Sequence, residues 1–273
     1  MGARLATVSL AAMLAVGVSS TASAQVAGFT NVTLQPTTPS TNNVVSAPNA
    51  AAFCNATAPT GANGLQCGVG SDAQNTNAVA IGNGSAAQDF ATAVGTNALA
   101  TFQGANAFGD GAQAFTVGTA IGARSLAQTA ATAVGVFANA SGVEAIAIGI
   151  QAEATATDSI ALGVLASANG LQSQAYGTLA ETGAGATDSV AMGSFTTVNG
   201  ANSIAIGDNI TTNAANTVAI GSTAAAGAVN ATAVGTGSNA SGTFSTATGS
   251  GSNASGNASS AYGTNSNATT FLS

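Results

Sequence analysis

The side chains able to do chemistry are few and far apart. Nine acids and two arginines carry all the charge, while histidine and lysine are absent. The acids are Asp72, Asp89, Asp110, Glu144, Glu153, Asp158, Glu181, Asp188 and Asp208. Acid–base catalysis needs two titratable groups within reach of one substrate, and a metal site needs several donors converging on one point. Here the acids are spread over different segments; Asp158 and Asp188 share a place relative to a following alanine, but two repeats apart. They read as solvated edge charges. Gly109-Asp110-Gly111 lacks the nine-residue Gly-Gly-x-Gly-x-Asp pattern of calcium-binding rolls, and no helix follows Gly249-Ser250-Gly251 to make a phosphate loop. No catalytic residue, cofactor or metal is expected, and the chain does not read as an enzyme; a β-helical polysaccharide lyase would need clustered acids or bases.

The other reactive pair is Cys54 and Cys67. Whether they are thiols or a disulfide depends on the compartment. Arg4 precedes an apolar run over 5–18, and small residues end at Ala22-Ser23-Ala24; this is the pattern of a secretory signal peptide, too short to span a membrane. In an exported chain the pair reads as a disulfide closing a loop of about 14 residues, worth on the order of 3 kcal/mol, with free thiols as the alternative. Loss of residues 1–24 leaves Arg124 as the one cation against nine acids. Such a surface repels phosphate backbones, which excludes nucleic acid as a partner.

These groups must be positioned by elements, and the elements repeat. Residues 188–193, 202–207, 216–221 and 230–235 read Asp-Ser-Val-Ala-Met-Gly, Asn-Ser-Ile-Ala-Ile-Gly, Asn-Thr-Val-Ala-Ile-Gly and Asn-Ala-Thr-Ala-Val-Gly. The x-Ala-apolar-Gly mark recurs with glycines at 70, 82, 95, 109, 122, 135, 149, 163, 177, 193, 207, 221, 235, 249 and 263, mostly 14 apart. About fifteen copies of one short period are the mark of a solenoid. With only 4% charged residues and 46% hydrophobic ones, most of them alanine, the chain suits a thin continuous core better than one thick core.

Each period predicts two short strands and two tight turns. The first strand places Ala on one face and a large apolar residue on the other, so both faces look buried. The second alternates small and polar residues, as in Gln151-Ala152-Glu153-Ala154, the pattern of a strand with one wet face. All four prolines, Pro36, Pro39, Pro48 and Pro59, precede the repeats, as an uninterrupted ladder requires. The division expected is a signal peptide over 1–24, a Pro/Thr/Asn-rich leader or cap over 25–66, and a β-roll over 67–273. Fourteen steps of about 4.8 Å make a rod roughly 67 Å long.

At Ser159-Ile-Ala-Leu-Gly163, Ser203-Ile-Ala-Ile-Gly207 and Thr217-Val-Ala-Ile-Gly221 the chain resembles the YadA-like head domain of the trimeric autotransporter adhesins. The resemblance covers 67 to about 270. It implies an all-β, left-handed parallel β-roll, a homotrimer, and a role in attachment at the bacterial surface or outside the cell, through host matrix or cell-surface ligands it does not specify. No neck, stalk heptads or membrane-anchor strands are recognisable, so membrane association would pass through an anchor this chain does not contain.

Oligomerisation also follows from the pattern itself, since a doubly apolar strand needs a second cover. Alanine permits close approach, so Ala147, Ala161, Ala191, Ala205, Ala219 and Ala233 are assigned to the trimer interface while the large residues fill the roll. The reverse assignment stands as the alternative, because alternation separates two faces without naming them.

Three functions are open: a surface adhesin, a structural surface or biofilm-matrix protein without a specific ligand, and an ice-binding solenoid. The last needs regular threonine rows. Thr92, Thr132, Thr232 and Thr246 share a position that Val79, Asn106 and Ile146 interrupt. Asn-x-Ser/Thr triplets at Asn83, Asn139, Asn230, Asn239 and Asn253 read as turn and ladder residues rather than glycan acceptors.

Overall fold

In the computed structural model the described residues are 64–273 apart from position 74, preceded by the backbone of three strands, Ser23–Val26, Phe29–Thr33 and Cys54–Asn55. Residues 1–22 of the expected signal peptide over 1–24 and the four prolines lie outside the described residues. Ser23–Val26 and Phe29–Thr33 form a separate antiparallel pair.

From Leu65 onward the chain is a parallel solenoid. A three-residue strand and a two-residue strand alternate, as in Ile146–Ile148 and Glu153–Ala154. Each pairs in register with its counterpart one period on: Ala147 with Ala161, Ala154 with Ala168. The three-residue strands stack into one sheet and the two-residue strands into a facing one. Among the described residues there is no helix, and therefore none able to cross a membrane.

The turns stack as regularly as the strands. Gly149 N–H donates to Val134 O at 2.8 Å, Gln151 N–H to Val136 O at 2.9 Å and Asp158 N–H to Val143 O at 3.0 Å. Backbone groups that a loop would leave to water are thus satisfied by the next rung. The repeating glycine has positive φ, 139° at Gly149 and 144° at Gly163. A Cβ on Gly149 would overlap the Gly163 carbonyl, so the position needs glycine for its conformation and for its close neighbour.

The core corrects the expected facing of the strands. Ala147, Ala161, Ala191, Ala205, Ala219 and Ala233 are 0% exposed within a single protomer. They fill the interior of the roll and are not an interface. The large residues beside them face outward: Ile148 is 41% exposed. The reason is space, because two sheets joined by such tight turns admit little more than methyl and hydroxymethyl groups between them. Most inward serines satisfy their hydroxyls locally, as in Ser125 Oγ donating to Gly122 O at 2.9 Å and Ser238 Oγ to Gly235 O at 2.8 Å, whereas Ser245 Oγ is buried without a partner.

Two further departures from the expected pattern are local. The first rung ends at Gly68 rather than Gly70, since Leu65–Cys67 pairs with Val79–Ile81 and puts Gln66 opposite Ala80; Gly68 has the φ of 128° of the repeating glycines. In the middle of the rod larger side chains, Thr182, Thr196, Val198, Ile210 and Thr212, are fully buried where alanine or serine stands in most other rungs. The two-residue sheet divides just after them, ending at Thr211–Thr212 and resuming at Ala225–Ala226.

Candidate binding surfaces

Three surfaces remain once the interior is assigned. The outer face of the three-residue sheet carries two side-chain columns. One is almost wholly apolar: Ile121, Val134, Ile148, Leu162, Tyr176, Met192, Ile206 and Ile220 succeed one another in register. Its neighbour mixes apolar and polar residues, with Thr119, Thr132, Ile146, Ile160, Gln174, Val190 and Ile204. The threonines share this column but do not form a continuous row, because Asn106 and Ile146 interrupt it. A stripe about 67 Å long and 10 Å wide covers on the order of 700 Å², more than monomers usually expose.

The outer face of the two-residue sheet is polar. Asn239, Asn253 and Asn267 form an amide ladder, each Nδ2 donating to the next Oδ1 at 3.0 Å. Asn199 and Asn213 repeat this at 2.8 Å. The amides thus stack one period apart, and Asn230 holds a left-handed turn position with φ 59°.

The turns form the two edges. Besides the repeating glycine, each turn holds one residue in the left-handed region, so two columns of left-handed residues run along the rod. One contains Glu144, Asp158, Gln172 and Asp188; the other contains Arg124, Phe137, Gln151, Leu165, Leu179 and Phe195. Asp158 and Asp188 therefore share a column, with Gln172 between them, and Glu144 joins them. Its place three residues before Ala147, the same as Asp158 before Ala161, was the signal that would have found it. Among the described residues no three metal-binding side chains come together. Arg124 lies over the Phe137 ring, 5.5 Å from its centroid, a cation–π arrangement.

At the start of the roll Cys54 stands opposite Cys67 in an antiparallel pair, so Cys54–Asn55 caps the first rung. Cys67 is disulfide-bonded, and Cys54 is the chain's other cysteine.

The family model for the YadA head domain repeat, two copies long, matches residues 128–152, 140–166, 154–180, 184–209, 213–238, 226–252 and 240–266. The breaks fall at 181–183, within the 16-residue spacing between Gly177 and Gly193, and at 210–212, where Ile210 and Thr212 enlarge the core. No curated protein matches the chain.

Proposed function

Since residues 128–266 are a YadA-like head domain, we propose that the protein is the rod-shaped head of a bacterial surface adhesin, a left-handed roll that assembles as a homotrimer and attaches cells to matrix, host cells or surfaces. The observation that carries this reading is the almost wholly apolar column on the outer face of one sheet. Three protomers packing these faces around a common axis would remove the stripe from water, leaving the polar sheets and the turn edges as the outside. Attachment then comes from many equivalent weak contacts along the rod, and avidity multiplies them.

Export is part of the same proposal: the N-terminal segment directs secretion, and the head stands at the cell surface or outside it. The regular polar sheet, with its asparagine ladders and without a cluster of charge, also suits a structural matrix protein that recognises no particular ligand.

Purified protein coated on beads separates the two. Saturable attachment to cells or matrix-coated wells, competed by soluble protein, supports an adhesin. Bead-to-bead association alone, with no attachment to cells, matrix or abiotic surfaces, supports the structural reading and overturns the adhesive one.

A further inference from the structure

One stretch of turn edge is concave. Between Phe137 and Leu165 the edge column carries Gln151, and the three side chains enclose a recess of about 380 Å³ floored by Ala152 and walled on the sheet side by Asn139 and Glu153. Phe137 and Leu165 are 47% and 43% exposed, so the walls are apolar surface left to water. Gln151 is the polar member of its edge. Two rungs further on, the acid Glu181 stands in the same sheet column as Glu153, but there Leu179 occupies the place of Gln151 between Leu165 and Phe195.

Its polar groups ask for a donor. Asn139 Nδ2 donates to Glu153 Oε1 across 3.4 Å, the long limit of a hydrogen bond. Asn139 Oδ1 is buried without a partner. No basic residue follows Arg124, whereas Glu144, Glu153, Asp158, Glu181 and Asp188 all lie in the surrounding rungs. The Phe137 ring already takes a cation, Arg124, from the rung before.

We propose that this recess receives a lysine or arginine side chain of a partner polypeptide, its alkyl stem between Phe137 and Leu165 and its cationic head at the Glu153 carboxylate. Long basic side chains bury their stems against apolar surface while keeping the head at a polar rim. A purely apolar side chain would cover Glu153 without pairing it, and an anion would be repelled. The inference names a partner class for the adhesion proposed above and rests on that reading for its biological role.

The test uses the full chain and a fluorescein-labelled peptide of alternating serine and lysine, with norleucine and glutamate replacing lysine in two control peptides, read by fluorescence polarisation at low salt. The lysine peptide should bind. Glu153→Gln and Phe137→Ala should each weaken it about tenfold, and Gln151→Leu, which gives the edge the residue that Leu179 supplies two rungs on, should do the same with an unchanged circular dichroism spectrum. Glu144→Gln, at the opposite edge, should change binding less than about twofold. Equal losses from Glu144→Gln and Glu153→Gln would show diffuse attraction to an acidic rod and overturn the proposal. So would equal binding of the norleucine peptide, wild-type affinity in Gln151→Leu, or no binding at all. Cell attachment that persists while the lysine peptide fails to bind overturns this inference alone; absent attachment with intact peptide binding overturns the adhesive reading and leaves the recess.

Discussion

Single residues in this fold are judged by the column they stand in. The glycine column is set by its positive φ and by the carbonyl of the next rung, so Gly149→Ala should destabilise by on the order of 3 kcal/mol, seen as a lower melting temperature. Gly237 is the contrasting case: its φ is 65° and a Cβ there would meet nothing within 4 Å. Gly237→Asn should be neutral or better, since Asn97, Asn209 and Asn265 hold the equivalent place in other rungs. The opposite correction is available where a β-branched residue has been forced into a left-handed turn. Val117 has φ 48° in the column that elsewhere holds Asn77, Asn202 and Asn216. Val117→Asn should therefore stabilise by about 1 kcal/mol. A melting temperature that falls for Val117→Asn, or holds for Gly149→Ala, contradicts this account of the turns.

At the scale of the element, the unit is the 14-residue period, whose hydrogen bonds run to the rung before and the rung after. Deleting 236–249 joins Gly235 to Ser250 and removes one rung with its register intact. Nearest-neighbour energetics then predict the loss of one repeat's contribution and retention of the fold. Deleting only 236–242 sets a polar-faced strand against an apolar-faced one and turns inward residues outward. Circular dichroism should distinguish the two deletions, and an identical response would sink the period as the structural unit. The cap is a second element with its own test. Cys54 and Cys67 are proposed to close the antiparallel pair that ends the sheet, worth on the order of 3 kcal/mol by loop entropy. Non-reducing peptide mapping should recover residues 54 and 67 in one fragment, and rapid thiol labelling of the native protein would contradict it.

For the whole molecule, the two faces of one strand make opposite predictions. Ile148 faces outward and Ala147 inward. Ile148→Glu should leave the roll's circular dichroism intact while light scattering reports monomers in place of trimers, because a charge placed in an apolar interface is left unpaired. Ala147→Glu should abolish the roll itself, since a carboxylate does not fit a core built of methyl groups. If Ala147→Glu folds as a monomer and Ile148→Glu stays trimeric, the facing of the strands is reversed. A wild-type protein that runs as a monomer overturns the assembly.

The period, the two strands per turn and the polar outer sheet were all legible in the sequence, because a solenoid writes each rung's contacts into its own 14 residues. The recurrence of Ala and Gly at fixed places is therefore a direct record of which side chains meet. The facing of the first strand was not legible. Alternation at Ile146-Ala147-Ile148 separates two faces equally well whichever one is inside, and only the spacing of the two sheets decided that methyl groups fill the roll and isoleucines cover its exterior. The same holds for the first rung, where the sequence put the mark at Gly70 and the pairing of Leu65–Cys67 with Val79–Ile81 moves the repeating glycine to Gly68. The recess at Gln151 was hidden for a further reason. Its walls come from three successive periods, and residues 14 apart become neighbours only when the turns stack.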